Sequence, residues 1–457
     1  MSLPNKSHIS HLCSKTGFGK FSHLKKSFSV KGVYPGEEFT YTLARNKKTV
    51  DQIELVAKSN DRSENFCPHF DQCGGCSLLG LSINAQQKWK QKLIEELFHL
   101  DLDKIFPIIT NPLSFHYRNK VEMTFSQNLK NEKKLGFIQF QSRGFAFSTS
   151  TCLLIPNWMI EIKKITEDWF CQSTLEAFYL PKMTGNLKNL IMRSNRDQSE
   201  WIVALVVQDK EQISLDEQNR WIQAIESHYV GQKIAYFLVE NKVQKGVATT
   251  TSLHLIKGKD AIKEVMKFDF LGKKFDVTMN INPLSFFQPN FETAQIIYQK
   301  AIESLELSDA DRVLDLYCGS GTFGIIASHF AKKVIGIEIN PNAVLDGNAS
   351  INENKISNME ILLGDAKIEI KKLLNHSLNK MILDPPRAGL ESAVIEVIER
   401  IRPEKIVYVS CNPKTQKEDV IRLNEIGYKV EKIQPVDQFT HTPHIENIVV
   451  LKNIKND

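Results

Sequence analysis

The sequence predicts a multidomain α/β protein whose C-terminal part is a doubly wound, mostly parallel sheet. At 457 residues the chain is too long for one ordinary hydrophobic core. From residue 271 onward, five apolar runs with the character of β-strands each precede a turn or a stretch of helical spacing. We therefore predict a small N-terminal β-barrel, an α+β central domain and a C-terminal α/β domain. Their predicted bounds are 1–58, 59–270 and 271–457.

The first 58 residues contain short runs of alternating apolar and polar residues that glycine and proline separate, which is typical of a small barrel. Within residues 1–60 there are ten Lys or Arg against four Asp or Glu, although the whole chain carries a net charge of only +5. A basic module suits the phosphates of a nucleic acid, and a solvated lysine-rich surface explains the charges equally well. The basic residues are Lys6, Lys15, Lys20, Lys25, Lys26, Lys31, Arg45, Lys47, Lys48 and Lys58.

The composition, with 42% hydrophobic and 24% charged residues, is that of a water-soluble globular protein. No apolar run approaches the roughly 20 residues that a membrane-spanning helix needs. The N-terminus also lacks the apolar stretch of a secretory signal. We therefore expect a cytoplasmic monomer with no membrane partner.

Four cysteines have the spacing of a metal site. Cys67, Cys73 and Cys76 lie within ten residues, and Cys152 is a candidate fourth ligand. In a reducing compartment, clustered cysteines bind metal more often than they form disulfides. The set suits an iron–sulfur cluster or a structural zinc ion, and the spacing does not separate the two.

The central region has no motif that indicates chemistry. Residues 84–100 predict a helix with Trp89, Leu93, Ile94 and Leu97 on one face. From residue 117 to about 274, β-like runs then alternate with two helical stretches, which predicts an α+β arrangement.

A glycine-rich turn follows the first strand of the C-terminal domain, in VLDLYCGSGTFGI at 313–325. Gly319 and Gly321 allow the backbone to approach a ligand, and Gly324 allows close packing of the next helix. The spacing G-x-G-x-x-G also fits a dinucleotide site. Asp315 precedes the turn, where its carboxylate can accept a hydrogen bond from the amino group of a ligand that contains methionine.

Acidic residues end the next two strands. Glu338 is placed to hold ribose hydroxyls and Asp365 to meet an adenine amino group. Together with Asp315 and the glycines, they favour S-adenosylmethionine as the ligand. The alternative is that these acids only cap the turns between strands and helices.

Catalytic candidates follow the last strands. LDPPRAG at 383–389 directs Asp384 and Arg387 toward the cleft, and VYVSCNPKT at 407–415 ends a strand at Cys411. A cysteine before a polar Asn-Pro turn suits a nucleophile, although most free cysteines are buried and structural. The tail offers Asp437, His441, His444 and Glu446, of which Glu446 is our candidate general base.

These motifs resemble, in order and over most of the chain, the RNA 5-methyluridine methyltransferases that act on ribosomal or transfer RNA. The N-terminal module resembles a TRAM domain, an OB-like barrel that binds RNA. CPHFDQCGGC with Cys152 resembles the [4Fe–4S] site of many members. YRNKVEM, SFFQPN, DLYCGSGTFG, LDPPRAG, YVSCNP and HIENIVVL resemble the family's remaining motifs.

The resemblance implies a class I, Rossmann-like methyltransferase domain and a structural iron–sulfur cluster that transfers no electrons. It implies that Cys411 attacks the base and that Glu446 removes a proton. The residues implied to contact S-adenosylmethionine are Gln288, Tyr317, Glu338, Asp365 and Asp384. Thr322 stands where some relatives have asparagine.

The cluster-bearing branch favours ribosomal RNA over transfer RNA as substrate. Two alternatives remain at this point. A 5-methylcytidine methyltransferase also uses a cysteine, but there we expect a Pro-Cys motif rather than Ser410-Cys411-Asn412. An RNA-binding assembly factor without activity would not need Cys411, Glu446 and the glycine turn together.

Overall fold

The structure is a computed structural model that describes residues 5–44, 49–64, 66–142 and 144–454. Of the basic residues predicted to meet nucleic acid, Arg45, Lys47 and Lys48 lie outside these ranges. None of the described helices is both long enough and apolar enough to cross a bilayer.

The N-terminal region is β-rich. Two three-stranded antiparallel sheets, ordered β1-β5-β6 and β2-β3-β4, share one apolar core that includes Phe21, Phe28 and Phe39. Arg62, which follows the last strand, pairs with the fully buried Glu37 and holds the region to the chain beyond it. The strands are β1 Asn5–His8, β2 His11–Leu12, β3 Gly19–His23, β4 Lys26–Val30, β5 Glu38–Leu43 and β6 Val50–Ala57.

The middle of the chain forms a six-stranded mixed sheet, ordered β12-β11-β10-β9-β7-β8, with helices on one face. Only the pair β10–β11 is parallel. The elements are α1 Ile83–Leu97, a 3₁₀ turn Leu102–Lys104, β7 Lys120–Gln127, β8 Lys133–Gly136, α2 Asn157–Gln172, β9 Leu187–Ser194, β10 Glu200–Val207, a 3₁₀ turn Lys210–Gln212, α3 Leu215–Glu226, β11 Lys233–Gln244 and β12 Val247–Lys257.

A hairpin of β13 Ile262–Phe270 and β14 Lys273–Ile281 then leads into the C-terminal domain. There the seven-stranded sheet has the order β17-β16-β15-β18-β19-β21-β20, in which β21 runs antiparallel to both of its neighbours, β19 and β20, and the other pairs are parallel. The elements are α4 Phe291–Leu305, β15 Arg312–Leu316, α5 Thr322–Ser328, β16 Lys333–Glu338, α6 Pro341–Glu353, β17 Met359–Leu363, α7 Ala366–Lys372, β18 Lys380–Leu383, α8 Ser392–Ile401, β19 Lys405–Ser410, α9 Pro413–Glu425, β20 Tyr428–Val436 and β21 Glu446–Asn453.

Helix α1 packs on the C-terminal domain although the central sheet separates the two in sequence. Ile94 and Phe98 are buried in the same core as α8, α9 and β19. The predicted apolar face of this helix packs inward, since Ile94 is buried and Leu93 and Leu97 are half-buried against the same core, while Trp89 is half-buried against a smaller one. The most buried row is Gln86, Lys90, Ile94 and Phe98, because Gln86 and Lys90 find buried polar partners in the opposing domain.

Candidate active site

The order of the strands gives the C-terminal sheet a topological switch point, where a ligand-binding cleft is expected. The carboxyl ends of β15, β18 and β19 reach one edge of the sheet, and β21 begins at the same edge. The chain adds β16 and β17 on one side of β15 and then β18 and β19 on its other side, so the strand order reverses between β15 and β18. Ligands of open α/β sheets bind outside the carboxyl ends of the strands at such a point. The candidate residues therefore converge here from separate segments of the chain.

The glycine-rich turn is built around Asp315. Gly321 has φ of +76°, which favours glycine, and a Cβ at Gly324 would lie 2.5 Å from the Met359 side chain. The Gly324 N–H donates to Asp315 Oδ2 at 2.9 Å. Gly319 is different, because a Cβ there would meet only Phe286, at 3.9 Å. That glycine therefore faces the open side of the turn.

Several carboxyl groups are buried close together in the cleft, and their pKa values are raised. Burial raises the pKa of Asp315 to about 7, and the neighbouring Asp384 and Glu338 add to the rise. Burial likewise raises the pKa of Asp384 to about 7. Asp315 Oδ1 is buried and has no hydrogen-bond partner among the described residues. An unpaired acceptor in an acidic cleft suits a cationic ligand, and S-adenosylmethionine carries a sulfonium and an ammonium group.

The other proposed cofactor contacts lie along the same edge. Glu338 accepts from the Gly319 N–H at 2.9 Å and from the Asn340 N–H at 2.7 Å. Asp365 caps α7 by accepting a hydrogen bond from the Lys367 N–H. This bond is explained by helix capping alone and does not require a role in binding the cofactor. Tyr317 is half-buried with φ of +65°, a strained backbone that is frequent at functional sites.

Gln288 reaches the cleft from the segment before α4. It is 5% exposed, and its Oε1 accepts from Gln438 Nε2 at 2.6 Å. The fully buried Arg193 fixes the preceding turn by donating to the carbonyl oxygens of Asn282, Ser285 and Phe287. A side chain of the central sheet therefore shapes the edge of the candidate cofactor site.

Cys411 and Glu446 face each other across two paired strands. Ser410 at the end of β19 pairs with Asn447 in β21, so the residues next to them stand side by side. Burial raises the pKa of the Cys411 thiol and the Glu446 carboxyl adds to the rise, whereas a hydrogen bond with Arg387 lowers it. Burial and the nearby Asp384 raise the pKa of Glu446 well above its usual range.

Arg387 is held where it contacts the thiol. Its carbonyl oxygen accepts from Asn412 Nδ2 at 2.9 Å and from Thr415 Oγ1 at 3.1 Å. The Asn-Pro turn after Cys411 thus fixes the loop after β18. Arg387 also opposes the rise in the pKa of Glu446, so one guanidinium stabilises the charged forms of both candidate catalytic groups.

The four predicted metal-binding cysteines lie apart from this cleft and line one cavity together. Cys76 is the most deeply placed, and burial and neighbouring thiols raise its pKa to about 12. Within the described ranges, no group of three or more His, Cys, Asp or Glu has the arrangement of a metal-ion site. Lys31 reaches over from the N-terminal region, and its Nζ donates to the carbonyl oxygens of Phe70 and Cys73.

The model of one protein family, described as tRNA (Uracil-5-)-methyltransferase, matches residues 219–454. The chain belongs to this family. It is accordingly a methyltransferase, and the matched segment contains the candidate cofactor and catalytic residues.

Full-length relatives agree with this assignment. An uncharacterized RNA methyltransferase of Protochlamydia amoebophila is 34% identical over 434 residues, which cover 91% of this chain and 98% of the relative. One from Chlamydia pneumoniae is 36% identical over 394 residues, covering 84% and 97%. The fold resembles that of the Pyrococcus abyssi tRNA (uracil-54, C5)-methyltransferase, solved in complex with S-adenosyl-L-homocysteine, with a TM-score of 0.73, 23% identity and coverage of 98% and 100%.

Several residues around the methyltransferase cleft were not predicted from the sequence. Gln438 donates a hydrogen bond to Gln288, and Arg193 donates to the Ser285 carbonyl oxygen in the turn before Gln288. The buried Lys90 forms an ion pair with Asp437. No signal in the sequence marks Lys90, because it lies outside the apolar face predicted for helix α1. Burial lowers the pKa of both His441 and His444 to about 4, so neither ring is a cation at neutral pH.

Replacing Arg387 tests its effect on the thiol. We expect Arg387→Gln to raise the pH midpoint for alkylation of Cys411, because the thiolate loses its charged hydrogen-bond donor. The alkylation rate of the Cys411 peptide, followed by mass spectrometry across neutral to alkaline pH, measures this. Arg220→Gln, on the exposed face of α3, is the control. An unchanged midpoint would show that Arg387 does not tune the thiol.

Proposed function

We propose that this methyltransferase transfers a methyl group from S-adenosylmethionine to carbon 5 of a uridine in RNA. Cys411 is the nucleophile and Glu446 the general base. The observation that carries the proposal is that these two groups lie side by side at the paired ends of β19 and β21. The Arg387 side chain is hydrogen-bonded to the thiol. A nucleophile beside a separate base is what this reaction needs.

Carbon 5 of uracil is too poor a nucleophile to take a methyl group directly. The Cys411 thiolate adds to carbon 6 and forms an S–C6 bond, and the C5–C6 π electrons move into the ring as an enolate. Carbon 5 then takes the methyl group from the sulfonium, which leaves as neutral S-adenosylhomocysteine. Glu446 accepts the proton from carbon 5, the C5–C6 double bond re-forms, and the S–C6 bond breaks to return the thiolate.

The charge of the cleft suits this sequence of steps. S-adenosylmethionine supplies an electrophilic methyl group and a positive charge. The proposed contacts for it are Gln288, Tyr317, Glu338, Asp365 and Asp384, with the unpaired oxygen of Asp315. A cation among these carboxyl groups favours their ionised forms, so it also lowers the pKa of Glu446 toward that of a working base.

RNA is the substrate in this proposal, and the target uridine must leave its stack to reach Cys411. The N-terminal β-rich region is proposed to act as a TRAM-like RNA-binding module, supported by its basic residues and small barrel-like core. We favour ribosomal over transfer RNA because the four cysteines resemble the metal site of the cluster-bearing branch of the family.

The proposal is tested with RNA that contains 5-fluorouridine, using ribosomal and transfer RNA in parallel with S-adenosylmethionine. Fluorine at carbon 5 cannot leave as a proton, so the methylated adduct persists through a denaturing gel. We expect an adduct whose peptide mass maps to Cys411. Cofactor binding without an adduct on either RNA would contradict uridine methylation and favour another target base or a binding role.

We also propose that Cys67, Cys73, Cys76 and Cys152 hold a [4Fe–4S] cluster with a structural role. All four line one cavity, and Lys31 and Arg118 lie near their thiols, where two cations offset the charge of thiolate ligands. One zinc ion draws four sulfurs to about 2.3 Å from a single point, whereas a cluster binds each sulfur through a different iron. The support for the cluster is therefore the shared cavity, the two nearby cations and the resemblance of CPHFDQCGGC with Cys152 to the family's [4Fe–4S] site.

Anaerobically purified protein should be brown and contain about four iron and four sulfide ions per chain. Cys76→Ser should lose most of this iron, because the serine oxygen is a poor ligand for such a cluster. Cys171→Ser, which changes an exposed cysteine elsewhere, should retain it. Colourless protein with one zinc ion per chain would contradict the cluster.

A further inference from the structure

Helix α1 holds the loop that delivers the proposed base. Residues 437–445 connect β20 to β21, and Glu446 is the first residue of β21. The helix lies nearly 350 residues earlier in sequence, as the separation of 347 between Lys90 and Asp437 shows. Its contacts with the loop are side-chain hydrogen bonds and one ion pair, which are buried except for a part-buried bond from Lys90 to Phe439.

Lys90 forms the ion pair. Its side chain and that of Asp437 are both 0% exposed, and Nζ lies 2.6 Å from Asp437 Oδ1. Nζ also donates to the Phe439 carbonyl oxygen at 3.2 Å. Thr440 Oγ1 donates to the second carboxylate oxygen of Asp437 at 3.3 Å. Because a buried charge is costly without its partner, the pair specifies one arrangement of the loop.

Gln86, one turn earlier on the same row of α1, binds the loop at His441. Its Oε1 accepts from the His441 backbone N–H at 2.8 Å, and its Nε2 donates to His441 Nδ1 at 3.1 Å. The amide thereby fixes a residue with φ of +69°, where the chain reverses. Phe115 stacks on the ring at 4.7 Å.

We infer that Lys90 and Gln86 are positioning residues for Glu446. They fix the loop within ten residues of the base, from a helix that begins seven residues after Cys76. The chain between is also attached, because the Leu78 N–H donates to the His441 carbonyl oxygen at 3.0 Å. The cysteine segment is thereby linked to the proton-removal step. The inference rests on the proposed function for the role of Glu446.

The consequence for the reaction is specific. Cys411 directly follows β19 and is not part of the loop 437–445, so addition to carbon 6 and methyl transfer do not depend directly on the contacts from α1. Removal of the carbon 5 proton depends on where the Glu446 carboxylate lies, and small misplacements of a catalytic group lower rates steeply. We call the contacts of Lys90 and Gln86 with residues 437–445 the clamp. Weakening the clamp should therefore make the methylated adduct accumulate on RNA that contains natural uridine.

The test compares wild-type protein with Gln86→Leu, Lys90→Met and the double variant Lys90→Met/Asp437→Leu. The double variant leaves no unpaired buried charge, so it serves if the single Lys90 variant does not fold. Lys92→Met is the matched control, because Lys92 lies on the same helix with its side chain 73% exposed. We expect adduct resolution to slow by about 10- to 100-fold in the clamp variants, with adduct formation changed less than about threefold.

A second measurement does not depend on RNA chemistry. Hydrogen exchange of residues 437–445 should quicken in the clamp variants, while exchange in β20 and β21 stays as in wild type. Unchanged loop exchange would overturn the inference, and so would formation and resolution of the adduct falling in parallel. If wild-type protein forms no adduct with 5-fluorouridine RNA, the proposed function fails, whereas loop exchange still decides whether α1 clamps the loop.

Discussion

Cys411→Ala is expected to lower the rate of RNA methylation by at least about 10⁴-fold, since removal of a covalent nucleophile costs about that much or more. The side chain is the only thiol that the structure places beside Glu446 and Arg387 within the described residues. Without the S–C6 bond, carbon 5 of uracil remains a poor nucleophile. Transfer of a radiolabelled methyl group from S-adenosylmethionine to RNA measures the effect.

The variant should also form no adduct with 5-fluorouridine RNA, yet bind S-adenosylmethionine with an affinity close to that of the wild type. Cys171→Ala is the control, because that thiol is exposed and distant from the cleft. Methylation by Cys411→Ala at more than about one hundredth of the wild-type rate would contradict the covalent mechanism.

Glu446→Gln is expected to separate the two halves of the reaction. Addition to carbon 6 and methyl transfer should proceed, whereas loss of the carbon 5 proton should slow by about 10²- to 10⁴-fold because the amide is not a base. The methylated adduct should therefore accumulate on RNA with natural uridine. A denaturing gel of the reaction, quenched over time, shows the accumulated fraction.

The same substitution should not destabilise the fold. Glu446 is 2% exposed, and burial raises its pKa well above its value in the unfolded chain. Such a group loses its stabilising contribution as the pH rises toward the folded pKa, so a neutral amide removes a cost at neutral and alkaline pH. We expect a melting temperature equal to or above that of the wild type at pH 8. Slow turnover without adduct accumulation would assign the base elsewhere.

Much of the cleft could be predicted because its residues follow strands in fixed order. The apolar runs before Glu338, Asp384 and Cys411 identify strands, and parallel strands bring their carboxyl ends to one edge. The glycine turn was equally visible, because Gly319, Gly321 and Gly324 follow an apolar strand at a recognisable spacing. Local pattern and topology together suffice for such residues.

The charges of the cleft could not be predicted in the same way. The raised pKa values of Asp315 and Asp384 arise from burial among other carboxyl groups that come from separate strands. Hydrogen-bond partners also shift these pKa values, as Arg387 does when it lowers the pKa of the Cys411 thiol. A pKa depends on distances through space, which no local pattern contains.

The sequence by itself determined the order of the domains, the strand ends that carry Cys411 and Glu446, and the grouping of three cysteines, because each depends on neighbours in the chain. Only the tertiary structure decided that α1 packs on the C-terminal domain and that Lys90 pairs with Asp437. The physical reason is that a buried charge is stable only beside its partner, and that partner lies 347 residues away.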